Sequence, residues 1–208
     1  MRIGVKFLRL LGVMVLNCLI FGTTHATVIF DNTINPSGTV FGPGCCQVGD
    51  EITLGSNERK IIQLSWLVDS QNTDVVVDIE TQIYANDGPG GAPGTLLWQS
   101  GPLTGINVAA TDTFLDITVP KISVPDIISV TSIILDSTPV ALGRIRGGAP
   151  SVGSVNASWF ESSPGMWNQQ FGPWGLQVSA VPEPSTFALL ISASILLIVF
   201  SRRRATLE

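Results

Sequence analysis

Ile61-Ile62-Gln63-Leu64-Ser65-Trp66-Leu67-Val68-Asp69 alternates apolar and polar side chains: Ile62, Leu64, Trp66 and Val68 share one face, and Gln63, Ser65 and Asp69 the other. Successive side chains of an extended chain point to opposite sides, so this period of two reads as a half-buried antiparallel strand. Val75 to Tyr84 repeats the pattern, with Val75, Val77, Ile79 and Ile83 inward and Asp78, Glu80 and Gln82 outward. Ser70 to Asp74 between them has the length of a hairpin connection. A second pair of runs follows the same logic. Leu115, Ile117 and Val119 alternate with Asp116 and Thr118, and Ile128, Val130 and Ile134 alternate less cleanly with polar positions.

Thr27 to Asp31 opens this body as a strand, which Asn35-Pro36-Ser37-Gly38 turns. Trp159, Phe160, Trp167, Phe171 and Trp174 supply aromatic bulk before Leu176 and Val178 close it. Many short strands punctuated by Gly and Pro, with no helical period and no crossover helices, predict an all-β fold, a single antiparallel β-sandwich.

Both ends of the chain differ from this body. Met1 to Ala26 has a basic start (Arg2, Lys6, Arg9), an apolar run from Leu10 to Phe21 and a small residue after Thr24-His25, the order of a cleaved signal peptide. At the other end Val181-Pro182-Glu183-Pro184-Ser185-Thr186 leads into an apolar run from Phe187 to Phe200 and then Arg202-Arg203-Arg204. The two prolines make the lead a stiff extended arm. A helix over 185–200, rising about 1.5 Å per residue, is roughly 24 Å long and spans a bilayer core of about 30 Å if the arginines snorkel. The arginines act as a basic stop-transfer signal that stays in the cytoplasm, so the body, residues 27–180, stands on the far side.

Six of the eleven basic residues lie in these two end segments, which leaves the body five basic against fourteen acidic residues, a formal charge of −9. Nucleic acid as a partner is therefore excluded, because neutralising phosphates needs Lys and Arg. His25 is the one histidine and sits at the signal-peptide boundary. The body thus lacks Ser-His-Asp and Cys-His chemistry and every His-bearing zinc site. A glycoside hydrolase needs only two nearby carboxylates. Asp78 and Glu80, two apart on one strand face, are the candidates, and a solvated face explains them better.

Cys18 leaves with the signal peptide, and Cys45 and Cys46 remain on a loop after Gly42-Pro43-Gly44. A vicinal disulfide between Cys45 and Cys46, compatible with an oxidising compartment, stands beside two thiols that are free or paired between molecules. A redox pair is disfavoured because the Cys-x-x-Cys spacing is missing.

Two stretches resemble known families. Val181 to Thr186, the apolar helix and the terminal arginines together resemble the PEP-CTERM sorting signal of exported bacterial proteins. That resemblance implies recognition by an exosortase-like membrane enzyme and cleavage near Pro182-Glu183-Pro184. It also implies delivery from an inner-membrane-anchored precursor to the cell surface or extracellular matrix of an exopolysaccharide-producing Gram-negative bacterium. Ile83-Tyr84-Ala85-Asn86-Asp87-Gly88-Pro89-Gly90-Gly91-Ala92-Pro93-Gly94-Thr95-Leu96-Leu97-Trp98 resembles a signature of choice-of-anchor surface domains, which implies a jelly-roll-like body. In that loop Asn86 and Asp87 either take part in a Ca²⁺ site or bond nearby backbone N–H groups in a turn; two side chains are few for a metal, and the turn is preferred. No other cofactor is expected. The expected function is that of a non-catalytic surface or matrix protein. The alternatives are a carbohydrate-binding module using Trp98, Trp159 or Trp167 as exposed stacking platforms, and a polysaccharide hydrolase.

Overall fold

The computed structural model describes residues 25–41, 46–70, 73–135, 143–170 and 172–182. Within them the chain is all-β, with every strand pair antiparallel. The strands are β1 Thr27–Asp31, β2 Gly38–Phe41, β3 Val48–Thr53, β4 Lys60–Asp69, β5 Val75–Ala85, β6 Leu96–Gln99 and β7 Leu103–Val108. They continue with β8 Thr113–Ser123, β9 Ile127–Ile134, β10 Gly143–Arg146, β11 Ser154–Ser163, β12 Met166–Gln170 and β13 Leu176–Val181. Among the described residues no helix is long and apolar enough to cross a membrane.

The strands form two sheets. In the six-stranded sheet β4 is central, with β8 on one edge and β13 and β10 in series along the other; β1 lies outside β13 and β2 outside β10. The seven-stranded sheet runs β12-β11-β3-β9-β5, with β6 and β7 in series on the far edge of β5. Their inward side chains meet in one core, which takes Leu64, Trp66, Leu115, Ile117, Leu176 and Val178 from the first sheet. Ile52, Val77, Ile79, Ile83, Ile128 and Val130 come from the second.

Three expectations about β4 and its neighbours need correcting. First, β4 and β5 do not pair as a hairpin, and neither do β8 and β9: each pair is split between the two sheets. Both edges of β4 are taken, by β8 and β13, and its apolar face is buried against that of β5 instead. The Trp66 indole N–H donates across the core to Thr81 Oγ1 at 3.2 Å. A short connection serves such a crossing between sheets as well as it serves a hairpin.

Second, Ile61 rather than Ile62 enters the core. Gln63 pairs with Ser179 and Ile61 with Ala180, so Ile62 is the extra residue of a bulge and the inward set shifts by one position there. Third, the opposite face of β4 is covered in part: Ser65 and Leu67 are 3% and 7% exposed, while Gln63 and Asp69 stay partly exposed. The inward residues read on β8 and β9, and Val77, Ile79 and Ile83 on β5, are buried as the alternation requires.

Candidate functional site

The outer face of the seven-stranded sheet carries a dense set of polar and aromatic side chains. Alternation puts Gln82 and Tyr84 of β5 on this face, because Val77, Ile79 and Ile83 point into the core. Register then carries the face across the sheet in a row: Gln82 opposite Thr131, Thr131 opposite Gly49, Gly49 opposite Trp159, and Trp159 opposite Gln169. Gly49 is required in that row. A Cβ there would stand 2.1 Å from the Val130 carbonyl oxygen and 2.7 Å from Thr131 Cγ2.

Gln47 ties the row together. Its Nε2 donates to Gln82 Oε1 at 2.7 Å, to Thr131 Oγ1 at 2.5 Å and to Tyr84 Oη at 3.3 Å. The Tyr84 hydroxyl also donates to Gln82 Oε1, and Gln82 Nε2 donates to Glu80 Oε1 at 2.7 Å. Above this network the rings of Tyr84 and Trp167 meet edge to face, with centroids 5.8 Å apart and planes at 72°. Burial pushes the Tyr84 phenol above its usual range; the Gln47 bond opposes that shift, and the Glu161 and Glu80 carboxylates add to it. Aromatic rings, amides and carboxylates on one face are groups suited to the faces and hydroxyls of sugars.

The sugar-platform residues named from sequence are placed differently from expectation. Trp159 is buried, at 5% exposure, and Trp98 packs against the core. Trp167 is half-buried and remains on the face, joined there by Tyr84, Gln47 and Gln82. The sequence pattern gives Gln82 only as an outward strand residue and does not show Gln47, because hydrogen bonds over long separations, from Gln47 to Gln82 and Thr131, make the cluster.

Asn86 and Asp87 diverge. Asp87 Oδ1 accepts from the Thr95 backbone N–H and Oδ2 from the Thr95 hydroxyl, both at 2.6 Å, while Asn86 Oδ1 accepts from Ser129 Oγ at 2.8 Å. The hydrogen bonds from Thr95 hold the Asp87 carboxyl below the usual carboxylate range. Gly94 makes the clamp fit, since a Cβ there would stand 2.1 Å from Asp87 Oδ1. Among the described residues no three His, Cys, Asp or Glu side chains come together as a metal site. The carboxylate pair is likewise engaged locally: Asp78 Oδ1 accepts from the Gly105 N–H and Glu80 Oε1 from Gln82.

Of the sorting motif, Val181 is the last residue of β13, paired with Lys60, and Pro182 follows it half-buried. Glu183, Pro184, Ser185, Thr186, the helix over 185–200, Arg202, Arg203 and Arg204 lie outside the described residues, as do the signal peptide up to residue 24 and Cys45. The Cys45–Cys46 pairing therefore also falls outside them.

A second cluster lies in the core and was not anticipated. Asp50 of β3 is fully buried and alternates inward with Val48 and Ile52, a carboxyl where the pattern calls for an apolar residue. Its Oδ1 accepts from Ser158 Oγ and its Oδ2 from the Trp174 backbone N–H, both at 2.7 Å. Asn32 continues the cluster, donating from Nδ2 to the Trp174 carbonyl at 2.8 Å and accepting from the Leu176 N–H at 2.7 Å. No protein-family model, curated protein or solved structure matches this chain.

Proposed function

We propose that this is a non-catalytic exported protein of the cell surface or extracellular matrix. It has a cleaved signal peptide, a jelly-roll-like β-sandwich body and a C-terminal sorting tail with a membrane-spanning helix. An exosortase-like enzyme reads and cleaves the tail, and the body acts in association with exopolysaccharide. The observation that carries this reading is the junction at Val181. β13 pairs with β1 as far as Ala180 and with β4 as far as Val181, so the last paired residue of the body is the first residue of the Val181-Pro182-Glu183-Pro184 motif. A processing enzyme needs an extended segment to read between the body and the membrane helix, and the two prolines of the motif favour one. The test is production in a host with the matching enzyme, followed by mass measurement of the surface fraction. Loss of the segment beyond the Pro-Glu-Pro arm supports the reading, and a full-length C-terminus in that fraction contradicts it.

The Tyr84–Trp167 face favours a second reading, a carbohydrate-binding module, with Tyr84 and Trp167 as the stacking pair and Gln47, Gln82 and Glu80 as the hydrogen-bonding groups. Binding of soluble host exopolysaccharide that is lost in Trp167→Ala supports it. Binding unchanged in that variant removes this face from consideration.

A further inference from the structure

The Asp50 cluster joins four parts of the chain: β3 through Asp50, β11 through Ser158, the entry to β13 through Trp174, and the end of β1 through Asn32. Three of these links are hydrogen bonds that any neutral polar group could make. Asp50 differs because it can ionise, and a carboxylate removed from water without a cation is strongly disfavoured.

Among the described residues, the groups packed around it supply no such cation. β9 presents Val130 opposite Asp50, β11 presents Ser158, and the segment before β13 presents Trp174. Asp31, at the end of β1, is occupied by Thr33 and Gln177. Arg146 of β10 bridges Trp174 through the backbone, and its Nη1 lies 3.0 Å from where a Cβ on Gly172 would stand. The side chain of Arg144 is outside the described residues. The Arg59–Asp126 ion pair lies elsewhere.

We propose that Asp50, Ser158 and the Trp174 amide form a proton-dependent latch that holds the start of β13 against the seven-stranded sheet, closed while Asp50 is protonated and loosened when it ionises. In the neutral form the bond to Ser158 reverses: Asp50 Oδ1–H donates to Ser158 Oγ, while Oδ2 continues to accept from Trp174. Both contacts survive and no charge is buried. In the ionised form two neutral donors face a full charge, and the seam between β3 and Trp174 must open to water to solvate it. Burial accordingly raises the Asp50 carboxyl from 3.8 to about 7, against the lowering effect of the Ser158 and Trp174 bonds. The latch is a property of the body whatever the tail does.

Between these two values the folded chain holds a proton that the unfolded chain has lost, so stability falls as pH rises, by close to a tenfold increase in the unfolding equilibrium constant per pH unit. Below pH 4 and above pH 7 this contribution is flat. The experiment is equilibrium denaturation of the purified full chain in detergent at steps from pH 4 to 8, for wild type and Asp50→Asn, with amide hydrogen exchange at Trp174 and Leu176. The expected result is a wild-type unfolding constant that rises roughly fiftyfold more than that of Asp50→Asn between pH 5 and 7. Exchange at Trp174 should accelerate beyond its intrinsic pH dependence in wild type alone. If Asp50→Asn does not fold, wild type is compared with Ser158→Ala, whose falling window should move to higher pH because a bond that favours the carboxylate is lost. The same pH slope in wild type and Asp50→Asn overturns the latch, and so does wild-type stability that holds steady from pH 5 to 7.

Discussion

The rings of Tyr84 and Trp167 touch edge to face at 5.8 Å, although four inter-strand steps, from β5 through β9, β3 and β11 to β12, separate the strands that carry them. Four steps of about 4.8 Å amount to roughly 19 Å across a flat sheet. The seven-stranded sheet must therefore curl towards its outer face, bringing β12 towards β5. Trp159, Thr131 and Gln47 are all buried on a face that alternation alone would leave wet.

If this contact holds the curl, the two rings are energetically coupled. Trp167→Ala and Tyr84→Ala should each destabilise the body, with a coupling of about 1 kcal/mol in a double-mutant cycle measured by urea denaturation. Strictly additive effects would mean that the hairpin is held elsewhere. The single variants should also raise the exposure of Trp159, read as a red shift in its fluorescence.

The bulge in β4 predicts an asymmetry between neighbours of identical chemistry. Ile61→Ala removes a fully buried side chain and should cost about 3 kcal/mol, whereas Ile62→Ala, at the bulged half-buried position, should cost about 1 kcal/mol or less. Denaturation midpoints of the two variants decide this. The reverse order would restore the uninterrupted alternation.

Asp87 spans its loop by taking two hydrogen bonds from Thr95, so Asp87→Ala should lower the melting temperature by the same amount with and without added Ca²⁺. A rise in the wild-type melting temperature on adding Ca²⁺, lost in Asp87→Ala, would turn the loop into a metal site.

The inward faces of β5, β8 and β9 were legible because alternation is a local property and these strands keep it. What local pattern could not assign was the sheet to which each strand belongs. A short connection and two amphipathic strands suit both a hairpin and a crossing between sheets, and the choice between them lies in the long-range register that gives the edges of β4 to β8 and β13. The Ile62 bulge was hidden for a similar reason, since two adjacent isoleucines offer the core equal candidates. Asp50 did leave a trace in the sequence. It interrupts the apolar face of Val48 and Ile52, and a polar residue at a position of that kind marks a buried polar cluster. Of the outer-face network, alternation gives Glu80 and Gln82 as outward residues of β5, but not the links of Gln47 to Gln82 and Thr131, which span 35 and 84 residues.

The central claim concerns the tail, and it is tested most directly by where the mature chain ends. A plain anchor needs only apolar length and flanking positive charge, so Glu183 and Pro184 are dispensable to it; a processing enzyme has to read the extended arm. Changing Arg202, Arg203 and Arg204 together to Ala should weaken retention or orientation instead. The measurement is C-terminal peptide mapping of the surface and membrane fractions for wild type, Glu183→Ala and Pro184→Ala in a host carrying the matching enzyme. The account predicts that surface wild type lacks residues 187–208, while both variants insert in the membrane and keep them. Wild type that retains those residues at the surface, or variants processed like wild type, would contradict it.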